Sequence, residues 1–280
     1  MTYAFTPAFA AAIVALSCLD AAPAGAQSIV TYVSGKGADS GACTPQASPC
    51  RSFAYALTQT LPGGEIKALD PDGYGPVTIT QAVSIIGVEG AGINRQTGVH
   101  IAINAAPSDS VNISNLILDG NHAATNGIVF STGGSLTIRN CVAQNFTNAG
   151  IVLYPSGTAN FLLANVVVTG NGSAGIEIES ASGSSTFVLD HVVASYNGAG
   201  VSMTVVGSVS VTAVDSIASS NGGNGFNVSG GTLLLSQSTA TQNGGYGAAC
   251  GGTCQTAGNN FFFGNGFGKY SGTLVNEGAD

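Results

Sequence analysis

Seven short stretches of this chain can be laid beneath one another: NLILDGN from Asn115, NCVAQNF from Asn140, NVVVTGN from Asn165, HVVASYN from His191, DSIASSN from Asp215, QSTATQN from Gln237 and NNFFFGN from Asn259. Their starts are 25, 25, 26, 24, 22 and 22 residues apart, the length of one circuit of a stacked β-solenoid. After each of the first six comes a turn and a strand opening with glycine, at Gly127, Gly150, Gly175, Gly200, Gly225 and Gly247. A third strand precedes the blocks, as in Leu136–Ile138, Phe161–Leu163 and Phe187–Leu189. Helical repeats would show period-3.6 patterning and little glycine, whereas this chain holds 41 glycines. The expectation is all-β: a right-handed, single-stranded parallel β-helix, three strands per coil.

Residues two apart on a strand share a face. Ile128 and Phe130, Ile151 and Leu153, Ile176 and Ile178, Val201 and Met203, and Phe226 and Val228 are therefore expected inside, stacked at about 4.8 Å per coil. Asparagine recurs because a sharp bend needs a residue that tolerates the left-handed region and whose amide can bond the same amide one coil away. Asn115, Asn140 and Asn165 are expected to form such a ladder, continued by His191, Asp215 and Gln237 as turn-forming polar residues. Asn121, Asn171, Asn197, Asn221 and Asn243 would serve the next turn in the same way.

Upstream, Ser52–Gln59 places Phe53, Ala56 and Leu57 on one side of a short helix before Pro62-Gly63-Gly64, suited to capping the solenoid's end. The strands of the first coils are Glu65–Leu69, Val77–Thr80, Val83–Ile86 and Val99–Ile103. The Phe-rich segment at Phe261–Phe263 would close the far end. The division expected is residues 1–26 as an export signal, 27–60 as an N-terminal segment with the capping helix, 61–275 as the β-helix and 276–280 as a tail.

The signal reading rests on the apolar run Ala8–Leu19, on Pro23, and on Ala24-Gly25-Ala26 before Gln27 as a cleavage site. A run of twelve residues is too short to span a bilayer. The stretch Met1–Pro7 lacks the customary Lys or Arg, which a start codon further upstream would supply. Acylation of Cys18 is the weaker alternative, since no Leu stands three residues before it. An extracellular, periplasmic or cell-surface location follows, and there Cys43 with Cys50 and Cys250 with Cys254 are plausible disulfides, leaving Cys141 over. No metal is assigned to the cysteines, because no His or second Cys cluster lies at ligand spacing.

The run CRSFAYALTQTLPGGEIKALDPDGYGPVTITQAVSIIG from Cys50 to Gly87, with the recurring N-x-x-x-x-x-N and G-I-x-I coils, resembles the pectin-lyase-like family of right-handed β-helix proteins. The resemblance covers nearly the whole mature chain. It is specific for fold and not for activity, since such coils carry lyases, hydrolases, esterases, epimerases and phage tailspikes. It implies a polysaccharide or cell-envelope glycan in the groove outside one sheet, here the sheet of glycine-led strands.

Outward positions on that sheet are Val129 and Ser131, Val152 and Tyr154, Glu177 and Glu179, Ser202 and Thr204, and Asn227 and Ser229. Tyr154, Ser202, Thr204, Asn227 and Ser229 suit sugar recognition, in which rings stack on an aromatic face and hydroxyls meet oriented partners. An ordinary solvated face has the same composition. Glu177 and Glu179 share that face about 7 Å apart, within the range of a glycoside-hydrolysing acid/base pair. No cofactor is assigned; calcium at this glutamate pair, or at the turn Asp70-Pro71-Asp72-Gly73-Tyr74-Gly75, is the one option the sequence leaves open.

A pectate-type lyase fits poorly, because from Ser110 to Asn259 the only Lys or Arg is Arg139, and the field of Asp119, Glu177, Glu179, Asp190 and Asp215 repels a polyanion. The formal charge of −8, with six Lys plus Arg, likewise speaks against nucleic acid. If the ladder bend leaves the alternation unbroken, Leu116 and Leu118, Val166 and Val168, and Val192 and Ala194 face outward, a stripe that would favour self-association. The leading reading is a secreted or cell-surface β-helix that binds polysaccharide or serves an adhesive or structural role. The alternative is a polysaccharide-active hydrolase or lyase.

Overall fold

The computed structural model describes residues 27–180, 184–206 and 209–277, together with residue 1. The expected export signal after Met1, with Cys18, lies outside the described residues, as do residues 278–280 of the expected tail. The chain winds into a parallel β-solenoid of three sheets with eleven, eight and nine strands. Each circuit visits the eleven-, the eight- and then the nine-stranded sheet, and each strand pairs in parallel with its equivalents one coil before and after, as Ser135–Arg139 does with Ser110–Ser114 and Asn160–Ala164.

The core is a set of stacks running along the axis. Ile101, Ile128, Ile151, Ile176, Val201 and Phe226 follow one another in register, all buried, as do Ile103, Phe130, Leu153, Ile178, Met203 and Val228. Phe130 meets Phe161 edge-on and Phe161 lies flat on Phe187, with centroids 4.8 and 4.4 Å apart. Aromatic stacking of this kind adds about 0.5–1.5 kcal/mol beyond area burial.

The bend between the eleven- and eight-stranded sheets is one residue in the left-handed region: Asn115, Asn140, Asn165, His191, Asp215 and Gln237, with φ between 47 and 58°. This bend resets the alternation. Ile138 points inward, Arg139 and Asn140 both face out, and Cys141 points in again. Consequently Leu116, Leu118, Val166, Val168, Val192 and Ala194 are buried rather than forming an outer stripe, and the outward places fall to Ile117, Val142, Val167, Val193 and Ile217.

The second asparagine series does not make the next bend. Asn121 apart, the left-handed residue there is the one before it, Gly170, Tyr196, Ser220 or Gln242, as Asn145 is before Phe146. Asn171, Asn197, Asn221 and Asn243 turn inward and are buried. Their Nδ2 atoms donate to the Oδ1 of Asn197, Asn221, Asn243 and Asn265 at 2.9, 3.2, 2.9 and 2.9 Å, and each also donates to a strand carbonyl, Ala143, Val168, Ala194 and Ala218 in turn. Buried amides are tolerated only when satisfied in this way. The glycine column exists to admit them, because a Cβ at Gly175 would stand 2.8 Å from the Asn197 amide nitrogen. Asn121 departs from the series: it is exposed at φ 49° and donates to the Asn94 carbonyl.

The N-terminal end is closed by the helix Phe53–Gln59, capped by Ser52 Oγ accepting from Tyr55 N and burying Phe53, Ala56 and Leu57. Ser28–Val33, upstream of this helix, is itself the first strand of the eleven-stranded sheet, paired with Thr60–Ala68. Disulfides join Cys43 to Cys50 and Cys250 to Cys254, and Cys141 is a free, buried thiol. At the other end, Phe262 packs against the core while Phe261 and Phe263 face outward and are exposed. No helix among the described residues is long and apolar enough to cross a membrane.

Candidate functional site

On the outer face of the nine-stranded sheet the register aligns Thr78, Ala102, Val129, Val152, Glu177, Ser202, Asn227, Ala249 and Ser271 in one column. Two residues along each strand, Glu179 pairs with Thr204, and the Ser229 amide bonds the Met203 carbonyl to continue the same column. Tyr154 lies one coil before Glu179, held by its amide to the Phe130 carbonyl, and is 45% exposed. The fold thus brings Tyr154, Glu177, Glu179, Ser202, Thr204, Asn227 and Ser229 onto one surface. Asn227 Nδ2 reaches Ser202 Oγ at 3.4 Å and its Oδ1 accepts from Asn224, which orients the amide.

Glu177 is half-buried, and its carboxyl is held above the usual carboxylate range. Burial is the main cause, followed by the Glu179 charge and a hydrogen bond with Glu179. A half-buried carboxyl beside a like charge keeps its proton more readily than a free one.

The same sheet carries a feature that the sequence did not announce. An open cleft of about 720 Å³ lies where the capping helix meets the first coils, lined by Leu57, Thr58, Thr78, Gln81, Arg95 and Ala102 among others. Thr78 and Ala102 belong to the outward column, so the cleft continues the strip. Its size is that of a small-ligand pocket. Nothing in the local sequence says that the helix flanks this sheet.

In the acidic turn, Asp70 accepts from Ser34 Oγ, Gly35 N and the Tyr74 hydroxyl, so its carboxyl is held low, chiefly by Ser34. Asp72 meets Arg51 at 3.2 Å and accepts from Gly73 N. Both carboxylates have protein partners. Asn115 and Asn140 are joined by their amides at 3.1 Å, and Asn115 Nδ2 reaches the Gly87 carbonyl.

A family model described as a right handed beta helix region matches residues 66–192. No curated protein matches the chain in sequence. Among solved structures, the crystal structure of pectate lyase Pel9A is similar over 90% of this chain and 78% of that one, at 14% identity and a TM-score of 0.55. The A-module of the mannuronan C-5 epimerase AlgE6 of Azotobacter vinelandii matches 78% of this chain and 88% of that one, at 13% identity and a TM-score of 0.41. ORF18 of Geobacillus virus E2 matches 76% of this chain and 52% of its own, at 12% identity and a TM-score of 0.46. The likeness to Pel9A is one of fold, and that fold is the right-handed parallel β-solenoid.

Proposed function

We propose that this is a secreted or cell-surface β-helix protein that holds a neutral or weakly charged polysaccharide along the outer face of its nine-stranded sheet, without a catalytic centre. The observation that carries the reading is the polar strip itself: an exposed aromatic ring followed, coil by coil, by carboxyl, hydroxyl and amide groups on a rigid surface. Sugar rings stack on aromatic faces and their hydroxyls pair with such groups. The fold shared with a pectate lyase supports a glycan as the ligand. The acidic charge of the chain favours one that is not a polyanion. Two disulfides suit an oxidising compartment. Glycan-array binding by the mature chain, with and without a chelator, tests the proposal, and its loss in Tyr154→Ala would tie binding to the strip. Absence of binding to any glycan removes it.

A second reading, a glycoside hydrolase using Glu177 and Glu179, is favoured by one observation, the proton-retaining environment of Glu177. Hydrolysis would require the two carboxyls to flank the scissile bond of a bound substrate. Converting both to Gln while assaying depolymerisation decides it: unchanged cleavage takes the pair out of the mechanism.

A further inference from the structure

We propose that Asp190, His191 and Asp215 form a surface site for a divalent transition ion of the zinc class, bridging two successive coils. Asp190 ends the strand Thr186–Asp190, His191 is the one-residue bend after it, and Asp215 is the equivalent bend one coil on. Each backbone is fixed by the solenoid ladder. His191 N donates to the Val214 carbonyl, Asp215 N to the Ser236 carbonyl, and the Asp190 carbonyl accepts from Asn165 N. The imidazole and two carboxylates project from this scaffold to the same point, with one ligand atom from each within 4.8 Å of the others. His191 Nδ1 and Asp190 Oδ1 are 2.6 Å apart.

Zinc with N and O ligands at about 2.0–2.2 Å places them roughly 3.4 Å apart in a tetrahedron, so small side-chain rotations complete the three-donor set. An imidazole together with two carboxylates suits a borderline ion. Calcium takes six to eight oxygens, which this corner does not supply. Two carboxylates and a neutral imidazole balance the charge of a divalent cation. The basic residue that shares this column, Arg139, lies two coils from Asp190, about 10 Å away, and does not compete. At the same bend the other coils carry Asn115, Asn140, Asn165 and Gln237, whose amides are poor ligands for such an ion. The three side chains are partly exposed, which leaves coordination positions for water or a ligand from outside. The site lies between the eleven- and eight-stranded sheets and is independent of the glycan strip.

The test is calorimetric titration of the full chain with zinc chloride, and separately with calcium chloride, in chelator-free buffer at pH 8. His191→Asn restores the residue that the preceding coil carries at this bend, so the fold is kept. Asp215→Asn removes a second ligand, and His122→Ala is the control at an exposed histidine elsewhere. We expect one equivalent of zinc in the parent, at least about tenfold weaker binding in each ligand variant, no change in His122→Ala and no saturable calcium binding. The thermal midpoint of the parent should rise with zinc and that of His191→Asn should not. Absence of zinc binding by the parent, or a zinc-induced rise that persists in His191→Asn, overturns the proposal.

Discussion

The ring of Phe146 meets the imidazole of His100 edge-on, with centroids 4.8 Å apart and planes at 77°. Phe146 occupies, in its coil, the place that Asn171, Asn197, Asn221 and Asn243 hold in the coils that follow. It is also where the amide ladder stops: Asn171 Oδ1 accepts from the backbone N–H of Phe146 and finds no amide side chain beyond it. Next to this junction His100 is fully buried, with Nε2 on the Arg95 carbonyl and Nδ1 without a partner.

Burial therefore holds the His100 pKa below its ordinary value, with the Arg95 carbonyl opposing. The unfolded chain takes up a proton as pH falls through about 6.5 while the folded chain does not, so His100 favours folding above that pH and its contribution is lost below it. His191 works in the opposite direction: Asp190 raises its pKa, so its smaller, solvent-screened contribution is present at acid pH and lost as pH rises. The urea midpoint of the parent should drop between pH 7.5 and pH 5, and His100→Leu should flatten that drop. An equally steep drop in the variant would remove His100 as its cause.

The two asparagine series should respond differently to substitution. Asn197→Ala strips partners from the Asn171 amide, the Val168 carbonyl and the Asn221 oxygen, and is expected to cost about 3 kcal/mol by chemical unfolding. Asn165→Ala keeps a left-handed backbone with a less suitable residue, at about 1–2 kcal/mol, and Asn165→Gly should be nearly neutral. Equal losses at Asn197 and Asn165 would contradict the inward ladder.

That contrast marks how far the sequence could be read. The circuit length and the inward faces of the glycine-led strands depend only on period and alternation, and both disulfide pairs on cysteines a few residues apart in a chain read as exported. The parity change at Asn140 does not, since a single left-handed residue rotates the chain without leaving a mark in the apolar pattern. For this reason Leu116 and Leu118 are inside although the unbroken alternation puts them out. The outward placement of Tyr154, Glu177 and Ser202 was legible because their strand begins at a fixed glycine. The cleft beside the helix was not, because it joins the cap to the first coils, and although the repeat aligned His191 with Asp215, the turning of both side chains toward Asp190 depends on rotamers that no period reveals.

Cys141 is 2% exposed, and burial pushes its thiol pKa up to about 11. In the native chain it should resist a thiol-labelling reagent at pH 8 and react promptly once denaturant is added. Fast labelling of the native protein would show that the corner holding Cys141 opens.

The Cys43–Cys50 bridge closes a short loop against the first strand of the eleven-stranded sheet, with the Tyr32 amide on the Cys43 carbonyl and the Cys50 amide on the Tyr32 carbonyl. Replacing both cysteines by Ser should cost about 2–3 kcal/mol, the chain-entropy value for so short a loop. Hydrogen exchange should quicken at this end and leave the coils beyond Ser110 unchanged.

Tyr154 should act through its ring. If the strip holds a glycan, Tyr154→Phe keeps most of the affinity and Tyr154→Ala lowers it about two- to tenfold, as read by titration with a binding oligosaccharide. Equal affinities of the Ala variant and the parent would move the contact elsewhere.

Parallel pairing of every strand with its counterpart one turn away makes the length of this molecule an adjustable quantity. Excising one whole turn, or repeating it, would shift the two ends by a single step of about 4.8 Å and keep each surviving column in line. Such a protein is a graduated rule, and the span it can lie against is set by how many turns its gene encodes.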